Sequence, residues 1–113
     1  MAEVECWSEA EVSNPVEGVT SRRIDQGDAT YVRYRFEPHA SFPLHRHPGA
    51  QTVIVLSGGC RFRSGEETHE LTEDDVVYSP SMEPHGINAG DEGVEFLNII
   101  TPRRTEDNTE YLE

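Results

Sequence analysis

The chain has 113 residues, enough for one domain with a modest single core, and it carries 22 acidic residues against nine basic, a net charge of −13. That balance speaks against a nucleic-acid interface, which needs clustered basic residues, and against an anionic membrane surface. All nine basic residues are arginine and lysine is absent; a carboxylate-rich surface of this kind points to a protein working at high salt, where screening removes self-repulsion.

The N-terminus, Met1-Ala-Glu-Val-Glu-Cys-Trp, lacks the basic start and apolar stretch of a signal peptide, and no apolar run reaches membrane-spanning length. Cys6 and Cys60 show neither CxxC spacing nor a disulfide framework, so both are expected as free thiols in a cytoplasmic protein. Residues 1–19 are acidic and turn-rich and read as an N-terminal arm or short edge strand, with Trp7 available to pack on a neighbour. Thr20 to Asp25 reads as a strand ended by Gln26-Gly27-Asp28. From Tyr31 to Phe36 the residues alternate, with Tyr31, Arg33 and Arg35 on one face and Val32, Tyr34 and Phe36 on the other. Gln51 to Leu56 is nearly continuous and apolar, as in a strand covered on both sides, and Gly58-Gly59 is expected to turn it into a separate strand from Cys60 to Arg63. Ser64-Gly65-Glu66 is a hairpin turn into Thr68 to Leu71, and Asp74-Asp75 turns into Val76 to Ser79. A short strand from Pro84 to Ala89 is followed by an Ala89-Gly90-Asp91 turn and a last long strand from Val94 to Thr101. Residues 103–113 form a polar acidic tail in which Tyr111-Leu112 could dock. Eight or nine short strands with polar turns and no convincing helix predict an all-β, antiparallel jelly roll or barrel. It would be a single domain over 1–113 with its core at about 20–102.

The chemistry concentrates between Pro38 and Gly58. Residues two apart on a strand face the same way, so His45 and His47 can present two imidazoles to one point. Imidazole is the commonest protein ligand for a transition metal. Gln51 follows past a Pro48-Gly49 turn and offers an amide oxygen, and His85, flanked by Pro84 and Gly86, is a fourth candidate. The plainer alternative for Gln51 is a hydrogen bond within the barrel, with three histidines alone on the metal. By alternation Phe96, Asn98 and Ile100 share the inward face of the last strand, and a buried Asn98 needs a partner. Arg104 lies at the barrel mouth after Pro102, and Tyr78 is a candidate for the pocket lining. His39 and His69 read as surface residues.

These residues resemble the cupins, small β-barrels with two sequence motifs. In the first motif His45-Arg46-His47, Gln51 and Gly58 fall at the family spacing, with His39 where the family has Gly and Gln51 where it has Glu. In the second, Pro80 and His85 match, while Asp74 and Met82 stand at glycine positions and Ala89 at the Asn. The resemblance covers about residues 30–102 and implies a jelly-roll barrel holding one divalent transition metal per chain, among Mn, Fe, Co, Ni, Cu and Zn, on His45, His47, Gln51 and His85. Among small cupins the chain looks most like the pectin-degradation type, which opens the ring of unsaturated uronates. It shares the HxHP start, the Gln, the VLSG turn, the Pro-His-Gly and a similar ending. In that comparison the family's acidic residue falls on Asn98, its Phe on Ile100 and its Arg on Arg104. Arg104 would then bind a substrate carboxylate, whereas an amide at Asn98 cannot shuttle a proton. The manganese hydroxynitrile lyase cupins also share the first motif. The resemblance implies a metal-dependent isomerase or lyase acting on a small anionic metabolite. A non-catalytic metal or sugar-acid binding or sensor module, and a metal-dependent oxygenase, are the competing classes. Exposed barrel edges imply a homodimer, with the N-terminal strand as the exchanging element.

Overall fold

The computed structural model describes residues 1–113. After a 3-10 turn at Trp7–Glu9 the chain is built from strands: β1 (Glu11–Ser13), β2 (Val19–Gln26), β3 (Ala29–Phe36), β4 (Ser41–Arg46), β5 (Ala50–Ser64), β6 (Glu67–Thr72), β7 (Val76–Ser79), β8 (His85–Thr101) and β9 (Glu110–Tyr111). All pairings are antiparallel, and the sheet runs β1-β2-β3-β8-β4-β9, with β5 joining β8 to β6 and β7. The two long strands form the spine. The C-terminal half of β8 lies between β3 and the start of β5, and its N-terminal half lies between β4 and the end of β5. The sheet therefore curls into the antiparallel jelly-roll barrel that the strand pattern predicts.

Two expected turns are not turns. Gly58-Gly59 lies inside β5, where the register against β8 shifts between Val55 and Ser57 and again between Gly58 and Cys60. Gly58 (φ 74°) packs against the Gly93 carbonyl and Gly93 (φ 75°) against that of Phe36, leaving no room for a side chain on either. The glycines thus make a bulge that bends one continuous strand instead of ending it. Likewise Ala89-Gly90-Asp91 runs through the middle of β8. Gln51 to Leu56 is also not covered on both sides: Gln51, Val53 and Val55 are buried, while Thr52 and Ile54 are only half-buried. The hairpin at Ser64-Gly65-Glu66 and the turn at Gly27 form as expected.

Three residues other than glycine have positive φ: His39 (64°), Asp74 (73°) and Met82 (67°). They occupy the three positions at which the two motifs carry glycine and this chain does not. The backbone therefore keeps the conformation for which glycine is the unstrained residue, and the substituted side chains bear it.

The inward face of β3 carries Thr30, Val32, Tyr34 and Phe36, as the alternation requires. Phe36 joins Val19, Val53, Val55, Phe62, Ile87 and Phe96 in the core at one end of the barrel, with Tyr34 packed against it, and Phe62 and Phe96 are fully buried there. At the other end the inward positions become polar: His47, Gln51, His85 and Asn98 are all buried. The acidic tail is not loose. Its β9 pairs with β4 in the register His45↔Tyr111 and Arg46↔Glu110, and the Leu112 N–H donates to the Leu44 carbonyl at 2.8 Å. The N-terminal β1 pairs with β2 of the same chain, and Arg22 donates to the Trp7 carbonyl at 3.0 Å.

Candidate metal centre

His45 is the last residue but one of β4, His47 stands just beyond that strand, Gln51 is the second residue of β5 and His85 the first of β8, so three strand ends converge on one point. The loop before His85 is fastened to the first motif by the Met82 N–H, which donates to the His47 carbonyl at 3.0 Å. The imidazole centroids lie 6.0 Å apart for His45 and His47, 4.2 Å for His45 and His85, and 5.0 Å for His47 and His85. One nitrogen from each of the three lies within 4.8 Å of the others.

The tautomers follow from the outer contacts. The Nδ1 of His45 faces the Pro43 carbonyl at 2.8 Å, that of His47 the Pro48 carbonyl at 3.0 Å, and that of His85 the Glu83 carbonyl at 2.9 Å. A carbonyl only accepts, so each Nδ1 carries a proton and Nε2 is the nitrogen of each ring left to bind an ion. Burial holds His45 below its ordinary pKa. Burial, followed by the neighbouring His45 ring, takes His85 down to about 4, so both are neutral near pH 7.

The same reasoning tests whether these residues suit a metal. His47 Nε2 lies 3.1 Å from Gln51 Oε1, and Asn98 Nδ2 donates to that oxygen at 3.4 Å. The three imidazoles and the Gln51 amide oxygen converge in a buried site, and nitrogen and oxygen donors of this kind suit a divalent transition metal. The donor set fits a divalent metal. Three neutral imidazoles and an amide oxygen would leave its charge uncompensated.

The cluster lies in a cavity of about 70 Å³. Phe96, Asn98, Ile100 and Arg104 also line it, beside Tyr34, Phe42 and Thr109. Asn98 holds Gln51 in place, and its own Oδ1 is buried without a partner. Arg104 is the one cationic side chain in the lining, and no carboxylate lines it. The Arg104 backbone N–H donates to Thr30 Oγ1 at 3.0 Å, and its guanidinium donates to Asn108 Oδ1 at 3.1 Å and Thr109 Oγ1 at 3.2 Å. Its nearest acidic partner, Asp107, is 3.7 Å away and 91 % exposed.

Tyr78 corrects an expectation. It is 63 % exposed on β7, because the inward positions of that strand are Val77 and Ser79. His39 and His69 lie on the surface against Asp91 and Glu67. Tyr34 and Thr109 were not picked out by sequence reasoning. Tyr34 was placed on the correct face of β3, but alternation does not reveal where along that face the packed core gives way to the cavity. Thr109 sits in a tail without periodicity.

A curled antiparallel barrel with three converging imidazoles at one end defines a metal-binding jelly roll. The chain belongs to the cupin family: residues 23–100 match the cupin domain model. It is 31 % identical over 85 residues to oxalate decarboxylase OxdC of Bacillus subtilis (strain 168), a stretch covering 71 % of this chain and 22 % of that protein. The chain thus matches about a fifth of that relative's length. Solved oxalate decarboxylase from B. subtilis at pH 4.6 superposes with a TM-score of 0.86 at 25 % identity, over 99 % of this chain and 33 % of that one. KdgF from Halomonas sp. gives 0.83 at 20 % identity, over 92 % and 96 % of the two chains. An RmlC-like cupin from Shewanella frigidimarina NCIMB 400 gives 0.81 at 18 %, over 92 % and 94 %.

Proposed function

We propose that this cupin is a metal-dependent isomerase or lyase acting on a small anionic metabolite. The observation that carries the reading is the pairing, in one small cavity, of a three-histidine cluster with a single guanidinium and no carboxylate. His45, His47, His85 and Gln51 would hold the ion, which when bound supplies Lewis acidity to a carbonyl or hydroxyl oxygen. Arg104 would take the substrate carboxylate, since its present contacts apart from the exposed Asp107 are neutral acceptors on the tail. Phe42, Phe96 and Ile100 restrict water around the reacting atoms. Asn98 orients Gln51 through its Nδ2 and has no proton to shuttle, so its part is positioning.

The resemblance to the pectin-degradation cupins makes an unsaturated uronate the first substrate to test. The oxalate named for the B. subtilis relative, which is 31 % identical over 85 residues, makes acids of only a few carbons the second substrate class to test. The protein, loaded in turn with Mn, Fe, Co, Ni, Cu and Zn, is given an unsaturated uronate while the conjugated-alkene absorbance is followed. A parallel set receives oxalate with product analysis. Chelator-sensitive turnover of either, with KM at least about tenfold higher in Arg104→Gln, is the expected result. No turnover with any metal would replace the enzyme by a binding module.

A further inference from the structure

Tyr34 poses a question that packing does not answer. Its ring is locked on the inner face of β3, stacked on Phe96 with centroids 5.0 Å apart and edge-on to Phe36 at 6.1 Å and Phe42 at 6.4 Å. A phenylalanine would meet those neighbours equally well. The hydroxyl is what tyrosine adds, and it makes no hydrogen bond within the protein although it belongs to a half-buried residue that lines the cavity. Most other polar groups around the metal cluster have partners, and the exception, Asn98 Oδ1, can only accept. The three Nδ1 atoms rest on carbonyls, Asn98 Nδ2 on Gln51, and the Arg104 guanidinium on the tail. Tyr34 is thus a donor on a rigid aromatic wall of the cavity, and it makes no hydrogen bond within the chain.

We propose that the Tyr34 hydroxyl is the second hydrogen-bond donor for the anionic ligand, acting beside Arg104 at the same cavity. Three further facts agree. Tyr34 lines the cavity with the histidines and Arg104. Burial raises its pKa to about 12, with Arg104 near enough to pull the other way, so the phenol stays protonated and can donate. No carboxylate lines the cavity to compete for it. A guanidinium and a phenol together present donors to an oxygen-rich anion, and the rigid ring fixes one of them without loss of rotamer freedom on binding. The inference names a specificity residue and rests on the reading that the cavity takes a carboxylate.

The test uses Mn-loaded wild type, Tyr34→Phe and Arg104→Gln, titrated calorimetrically with glycolate and with oxalate, alongside thermal melts and Mn stoichiometry. Tyr34→Phe should keep full Mn occupancy, melt at the same temperature or higher, and bind the acids about tenfold or more weakly, as expected for a hydrogen bond to a charged group. A lower melting temperature with unchanged affinity would mean that the hydroxyl is structural and overturn the proposal. Lost Mn occupancy would place its role at the metal and overturn it too. If Arg104→Gln weakens binding and Tyr34→Phe does not, the Tyr34 assignment fails and the anion reading stands. If the wild type binds neither acid, both fall.

Discussion

His39 has a left-handed backbone that costs a residue with a Cβ about 1–2 kcal/mol. Glycine pays no such cost, although it adds conformational freedom to the unfolded chain. His39 gains little in return, because its side chain is 70 % exposed and pairs only with the exposed Asp91. His39→Gly should therefore stabilise the protein by about 0.5–1 kcal/mol, read as a melting temperature about 2–5 °C higher; an unchanged or lower value would show that the conformation carries no strain. The case also shows what the sequence could tell. The motif spacing identified His39, Asp74 and Met82 as glycine positions, and the backbone occupies the glycine conformation at each. The histidines and Gln51 were legible because metal chemistry restricts which residues can stand at that spacing. Tyr34 was legible only as an inward residue, because a core phenol and a cavity phenol share one alternation pattern.

At the scale of elements, most strands were readable from alternation and turn residues, but glycine misled twice. Gly58-Gly59 and Gly90 carry the residue signal of a turn, and in β5 and β8 they sit within continuous strands. Which of the two forms depends on pairing with a distant strand, which local sequence does not encode. The tail shows the same limit. Residues 103–113 look like a solvated acidic end, yet β9 covers the free edge of the strand that delivers His45, with Tyr111 6.0 Å from the His45 ring. The tail is fastened by Arg46 to Glu110 at 2.9 and 3.1 Å and by Arg63 to Glu113 at 2.9 and 3.0 Å. Those carboxylates explain why an acidic segment folds back at all: it meets two of the nine arginines. The double substitution Glu110→Gln, Glu113→Gln should free this segment while the barrel stays folded. Hydrogen exchange at the Leu112 amide, now bonded to Leu44, should quicken roughly threefold to tenfold, in line with partly exposed ion pairs. Amides in the centre of β8 should keep their protection. Equal quickening at both places would mean that the tail is an integral part of the barrel's cooperative unit.

For the whole molecule the governing quantity is charge. Arg23, Arg33, Arg46, Arg61, Arg63 and Arg104 each meet a carboxylate, which still leaves most of the 22 acidic residues without an arginine partner. Folding gathers a net −13 onto a surface of 6753 Å², whereas the unfolded chain spreads the same charge over a larger volume. Repulsion between unpaired carboxylates therefore opposes the folded state more than the unfolded one. Salt has two opposed effects here: it screens that repulsion, and it weakens the arginine pairs that hold the tail and the outer strands. Because exposed pairs contribute little individually while the excess negative charge acts across the whole surface, screening of repulsion should dominate. The melting temperature followed by circular dichroism should rise by at least about 5 °C between dilute buffer and molar sodium chloride. The rise should be steepest below about 0.2 M, where the Debye length falls under the spacing of neighbouring surface charges. A melting temperature that stays level or falls across this range would mean that the pairs outweigh the repulsion. The absence of lysine would then need an explanation other than adaptation to salt.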